Sequence, residues 1–134
     1  MSDFLIPLGG GNEIGGSAYY LSLEGIHVLF DCGARLKGEE LYPDYERLLY
    51  ELNDYLDLNL ILISHAHYDH IGSLARIASL APDAEIIATE ATKKLIYTQL
   101  LDFGRISGRG ESDIIRNERY RKAQILMERI HTRS

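Results

Sequence analysis

Short apolar blocks dominate the N-terminal part of the chain, and runs with helical spacing alternate with short apolar blocks after it. Residues 4–8 form an apolar run containing Pro7, which suits an edge strand or a strand end because proline cannot donate to a ladder. Residues 17–23 and 26–31 are two further strand candidates, and Glu24-Gly25 between them has the length of a tight hairpin turn. A stretch at 43–56 places Tyr45, Leu48, Leu49, Leu52 and Leu56 on one helical face, with Pro43 suited to a first turn. Residues 58–64 are mostly apolar with two isoleucines, which reads as a buried strand. Helical spacing returns at 71–80 and is ended by Ala81-Pro82-Asp83. Residues 84–88 form another short strand. Thr89 can cap a helix reaching Phe103, with Leu95, Gln99, Leu100 and Phe103 nearly in register. Gly104, Gly108 and Gly110 break the chain there, and Ser112 can cap a last helix whose Ile115, Ala123, Leu126, Met127 and Ile130 face one way. A β meander followed by alternating helices and strands predicts an α/β layered fold with a mixed sheet.

The chemistry concentrates in His65-Ala66-His67-Tyr68-Asp69-His70, which holds three of the chain's five histidines. These residues fall on a predicted strand-to-helix loop, where function tends to sit. In an extended segment His65 and His67 project to the same side, because side chains repeat every two residues. Two ring nitrogens can then close on one borderline-soft metal such as zinc. Asp69 and His70, further round the turn, can serve a second metal, as in two-metal hydrolases. Polar loop residues with Asp69 as a helix cap would be the bland reading, but three imidazoles in six residues argue for metal. Asp31, at a strand end beside Gly33, is placed either to act in a site or to form an Asx turn. The cluster Gly9-Gly10-Gly11-Asn12-Glu13-Ile14-Gly15-Gly16 matches neither the dinucleotide fingerprint nor the Walker loop; its glycines suit close backbone approach to another loop or a ligand. His27, mid-strand in the hairpin, is read as structural or exposed. His131, after a long polar helix with no strand or glycine loop around it, is not assigned to metal.

Composition adds boundaries. The chain has 134 residues, 46% hydrophobic and 25% charged, which fits one domain. No window is apolar enough for a membrane span, and the N-terminus lacks the features of a secretory signal. The single cysteine, Cys32, cannot form an internal disulfide, so a reducing cytoplasm is the simplest location. The net charge of −6 is not the footprint of a nucleic-acid binder by itself. Residues 105–133 carry eight Lys or Arg against four Asp or Glu, a basic excess that reads as a solvated helix face with ordinary ion pairs.

The six-residue stretch at 65–70 resembles the metal signature of the metallo-β-lactamase fold. Leu8-Gly9-Gly10-Gly11-Asn12-Glu13-Ile14-Gly15 resembles the opening of its β-CASP branch, the RNA- and DNA-processing nucleases that include the cleavage and polyadenylation endonuclease. Leu29-Phe30-Asp31-Cys32-Gly33 is similar to that branch's first acidic motif, and Ala88-Thr89-Glu90-Ala91-Thr92 to a segment these nucleases carry after the metal motif. The resemblance runs from Phe4 to Asp102. It implies an αββα sandwich with two zinc ions, the first on His65 and His67, the second on Asp69 and His70. Asp31 would orient the ligands and the water, and Asp69 and Asp31 would be the carboxylates of the catalytic set. The implied reaction is in-line hydrolysis of a phosphodiester by a zinc-activated water, with RNA a more natural substrate than DNA.

The family also draws a histidine, a bridging aspartate and a final histidine from later strands, and clamps nucleic acid with an inserted domain. Residues 1–134 contain no counterpart of these. The chain is therefore expected to be the N-terminal half of a metallo-β-lactamase domain, with no second domain. Its sheet would have one bare apolar face, implying self-association or pairing with a missing C-terminal half. Two alternatives stay open: a hydrolase of thioesters, lactones or lactams on the same fold, and a truncated, non-catalytic assembly module.

Overall fold

Glu24 and Gly25 both adopt positive φ, 49° and 82°, as in the two-residue turns whose twist matches that of the flanking strands. The turn joins β2 (Ala18–Leu23) to β3 (Ile26–Phe30), which pair antiparallel; β1 (Phe4–Gly9) pairs antiparallel with β2 at the sheet edge. The computed structural model describes residues 3–9, 16–33, 43–51, 57–66, 68–107 and 113–132. After the meander the strands are added in parallel: β4 (Leu60–Leu62) beside β3, β5 (Glu85–Ala88) beside β4, and β6 (Ile130–Thr132) beside β5. The helices are α1 (Tyr45–Glu51), α2 (Tyr68–Ile71), α3 (Leu74–Leu80), α4 (Glu90–Ser107) and α5 (Asp113–Arg129). The result is a six-stranded mixed sheet in the order β1-β2-β3-β4-β5-β6, the mixed α/β architecture that the pattern predicts.

One row of side chains explains why the sheet holds this register. Ile6, Tyr20, Leu29, Ile61, Ile86 and Ile130 are successive partners across all six strands. Residues directly opposite share a face and pack. Tyr20, Leu29, Ile61, Ile86 and Ile130 are buried, in one cluster with Leu48 of α1, Leu74 and Ile77 of α3, Ile96 of α4 and Leu126 of α5. This face therefore lies under the helices. The other face is also apolar and much less covered. Tyr19, Phe30, Leu62 and Ile87, partners across β2 to β5, are only half-buried. Leu5, in the neighbouring row, is 57% exposed.

Several sequence expectations are corrected. The helix expected at 71–80 is two pieces: a turn begins at Tyr68, breaks at Gly72-Ser73 and resumes at Leu74. Thr89 caps α4 as expected, accepting the Thr92 N–H at 3.1 Å. Gly104 does not end that helix, which continues to Ser107; an interior glycine costs about 1 kcal/mol, which a long helix absorbs. Leu95 does not belong to the packed face. It is 56% exposed while Ile96 is buried, because α4 turns Thr92, Lys93 and Ile96 inward, with Lys93 Nζ donating to the Ile130 carbonyl at 2.8 Å. Ile130 is the first residue of β6, and His131 lies on that strand, where none was expected. Leu52, Leu56, Gly108, Gly110, Ser112 and most of the glycine cluster at 9–16 lie outside the described residues. Among the described residues, no helix is long and apolar enough to cross a membrane.

The end of α5 is tied back by one guanidinium. Arg129 donates to the carbonyls of Ala78 at 2.5 Å, Ala81 at 2.8 Å and Ala84 at 3.1 Å. These carbonyls lie at the end of α3 and in the turn before β5, where a helix leaves acceptors unsatisfied. A cation there also complements the helix dipole. Arg129→Ala is expected to lower stability by about 1–3 kcal/mol. Arg129→Lys should recover only part of this, since an ammonium cannot reproduce the planar fork. Urea unfolding followed by circular dichroism measures both; an unchanged midpoint for the alanine variant would contradict the assignment.

Candidate metal centre

β3 ends at Phe30, and the next residue, Asp31, takes a left-handed φ of 63°. That region costs a non-glycine residue roughly 1–2 kcal/mol, although aspartate enters it more readily than most. Its partners hold it there. The Asp31 N–H donates to the Leu62 carbonyl at 2.8 Å, continuing the β3–β4 pairing. Its carboxylate accepts three hydrogen bonds. Oδ1 takes the Ser64 N–H at 2.7 Å, and Oδ2 takes the Ser64 hydroxyl at 2.7 Å and His70 Nδ1–H at 2.8 Å. Asp31 is only 6% exposed, so these donors replace the water that an ionised carboxylate would otherwise require.

The residues after Asp31 are bonded to the α2–α3 turn. The Cys32 N–H donates to the His70 carbonyl, and the Ser73 N–H to the Cys32 carbonyl, both at 2.8 Å. Ser73 Oγ donates to the Gly33 carbonyl at 2.8 Å. Having used its one proton, that hydroxyl accepts from the Tyr45 hydroxyl, which links α1 to the same turn. The break at Gly72-Ser73 thus has a cause: Ser73 is bonded to the Asp31 strand end. Cys32 is fully buried, and burial, reinforced by the nearby Asp31 charge, pushes its thiol well above the ordinary range. Cys32 packs within the apolar core cluster.

The structure brings together three of the predicted site residues. His65 and His70 have ring centroids 4.8 Å apart with planes tilted by 38°, and Asp31 bonds directly to His70. All three sit beyond the carboxyl ends of the parallel strands β3 and β4, where α/β sheets place their ligands. The backbone of Asp69 lies in α2; its side chain, and the whole of His67, lie outside the described residues. Among the described residues, no group of three or more His, Cys, Asp or Glu side chains is placed to hold a metal. The donor chemistry nevertheless fits zinc. Asp31 accepts a hydrogen bond from His70 Nδ1–H, which leaves the neutral ring's lone pair on Nε2, the arrangement in which a carboxylate steers a metal-binding histidine.

His27 does belong to structure, as the sequence suggests. Its Nδ1 lies 2.6 Å from the Tyr20 hydroxyl, and its N–H donates to Asn59 Oδ1 at 2.7 Å. Burial raises the Tyr20 hydroxyl's pKa, with a hydrogen bond to Ser22 opposing and the Glu51 charge adding to the rise. His131 is exposed on β6. Sequence reasoning missed Ser64, Ser73 and Tyr45. Only Ser64 gave a signal, standing directly before the first histidine of the cluster.

Comparison with known proteins agrees with the fold. The family model described as the metallo-beta-lactamase superfamily matches residues 11–128. The chain is 30% identical over 115 residues to cleavage and polyadenylation specificity factor subunit 3-I of Arabidopsis thaliana, covering 84% of this chain and 16% of that protein. It is 34% identical over 103 residues to the probable RNase MJ4 of Methanocaldococcus jannaschii, covering 77% of this chain and 23% of that protein. The chain thus spans less than a quarter of the length of either relative. Among solved structures, a metallo-beta-lactamase from Cronobacter sakazakii aligns over 70% of this chain and 36% of its own, with a TM-score of 0.51 and 25% identity.

Asp31→Asn tests the carboxylate. Its amide keeps one acceptor oxygen, and its NH2 faces either the Ser64 N–H or the Ser64 hydroxyl and His70 Nδ1, so at least one charge-assisted bond is lost or reversed. Stability should fall by about 1–3 kcal/mol, read from the urea midpoint; a variant as stable as the parent would remove Asp31 from the centre of the network.

Proposed function

Because the chain belongs to the metallo-beta-lactamase superfamily, and its curated relatives are β-CASP nucleases, we propose that it carries the metal-ligand loop of a zinc-dependent nuclease acting on RNA. The observation that carries this reading is the Asp31–His70 hydrogen bond, with the tilted His65 ring beside it in the loop after β4. His65 and His67 would hold one zinc ion; Asp69 and His70 would hold a second. Zinc there would supply Lewis-acid activation of water and would neutralise charge on a phosphodiester. The chain's own contribution is orientation: Asp31 fixes the His70 ring and holds the loop after β4 to the end of β3. RNA is supported as substrate by the names of the relatives, an RNase and a cleavage and polyadenylation factor subunit. They support phosphodiester hydrolysis over the thioester, lactone and lactam alternatives, and over a non-catalytic module. A cytoplasmic location accords with the single, unpaired cysteine.

Zinc uptake is the primary test. The purified chain should retain zinc, and His67→Ala should lower its affinity at least about 10-fold, as measured against a competing chelator; undiminished binding in the variant would refute the ligand assignment. In the full-length gene product, an oligoribonucleotide should be cleaved and thioester, lactone and lactam substrates left intact; the reverse pattern would overturn the nuclease reading.

The half-buried face of the sheet supports association as well. Tyr19, Leu21, Phe30, Leu62 and Ile87 form a contiguous apolar surface of a kind that marks interaction sites. The occupant is a second copy or the remaining half of such a domain. Sedimentation velocity on this chain alone should show concentration-dependent association; a monodisperse monomer across the accessible range would contradict it.

A further inference from the structure

We infer that Ser64 is a positioning residue that fixes the tautomer of His65 and so presents Nε2 of that ring to the metal. The inference rests on the zinc-binding reading above, and the hydrogen-bond chemistry carries it further. A serine hydroxyl has one proton and an ionised carboxylate has none. At 2.7 Å from Asp31 Oδ2, the Ser64 proton goes to the carboxylate. Ser64 Oγ is left with lone pairs, and His65 Nδ1 lies 3.0 Å from it. That contact is attractive only when Nδ1 carries the ring proton. In the neutral imidazole the lone pair is then on Nε2, since the bond made by one nitrogen decides the state of the other.

His70 is set the same way, by Asp31 Oδ2 directly. One buried carboxylate therefore orders two imidazoles, His70 in one step and His65 through a hydroxyl relay. The relay is held at both ends, because the Ser64 N–H is also bonded, to Asp31 Oδ1 at 2.7 Å. The arrangement matters because an unrestrained histidine in water favours the opposite tautomer, with its proton on Nε2, which blocks that nitrogen as a ligand.

The test compares the parent chain with Ser64→Ala and Ser64→Thr. Ring-nitrogen NMR of the 15N-labelled, metal-free chain, at a pH where the imidazoles are neutral, reads each tautomer. Zinc titration against a competing chelator reads affinity. In the parent chain both His65 and His70 should carry the proton on Nδ1. In Ser64→Ala, His65 should move toward the Nε2–H form while His70 stays unchanged, which shows that the fold and the Asp31 contact survive. Zinc affinity should fall about 10-fold in that variant, and Ser64→Thr, which keeps the hydroxyl, should restore both readouts. A parent His65 protonated on Nε2, a Ser64→Ala tautomer unchanged from the parent, or no recovery in Ser64→Thr would each overturn the role of Ser64. A parent chain that takes up no zinc would instead refute the metal reading, and the tautomer of the metal-free ring would still decide the relay.

Discussion

The arrangement depends on one buried anion. The Asp31 carboxylate has left water almost completely, and such a group is tolerated in a protein interior only when donors surround it. Three donors do so here, from two places in the sequence that are far from Asp31: Ser64, after β4, and His70, in α2. Two of the bonds restrain the loop after β4 and the third restrains α2. Together they bring the end of β3, the loop after β4 and the first helical turn after that loop to one point. Among the described residues, no buried side-chain nitrogen or oxygen lacks a partner. Such a network stiffens its surroundings because any displacement strands a desolvated group.

The carboxylate can act this way only because the sheet delivers it in the right phase. Leu29 pairs with Ile61 and Phe30 with Leu62 in the parallel β3–β4 ladder. That register puts the Asp31 N–H against the Leu62 carbonyl and brings its side chain to Ser64. A slip of one residue would turn every side chain of the strand to the other face. It would put Leu29 among the half-buried residues and break the apolar row from Ile6 to Ile130. The core therefore enforces the geometry of the site: the row of isoleucines and leucine that is buried under the helices is what fixes the polar contact at the strand end.

This division explains what was legible in the sequence. The strands could be read because their apolar blocks are short and bounded by turn residues, and Glu24-Gly25 announced the hairpin. The histidine cluster could be read because metal chemistry demands those residue types at close spacing, and the family resemblance added an expected ligand set only through residues that match. Pairing could not be read: alternation along β4 says nothing about which strand lies beside it. β6 was invisible for a related reason. Three residues after a polar helix carry no periodic signal, and Ile130, which continues the apolar spacing of that helix, is a strand residue only by its pairing with Ile86. On α4, Leu95 and Ile96 are adjacent aliphatic residues, and only the contact of Lys93 with Ile130 shows which way the helix turns. Ser64, Ser73 and Tyr45 were missed because hydroxyls are common and act here through contacts 28 to 40 residues apart in sequence.

The same bonds define what Asp31 does at a metal site. Of the carboxylate's roughly four acceptor sites, Oδ2 uses two, on the Ser64 hydroxyl and His70, and Oδ1 uses one, on the Ser64 N–H. Coordination through Oδ2 would displace the Ser64 hydroxyl and His70 from it and give up their orientation. Orientation involves no such loss, because every bond is already made. The bonds already made place the carboxylate behind His70, and behind His65 through Ser64. A ring held before the metal arrives has less freedom to lose on binding. The strained φ of Asp31 fits this role: the backbone is bent at the one residue from which a single side chain reaches both the loop after β4 and the helical turn beyond it.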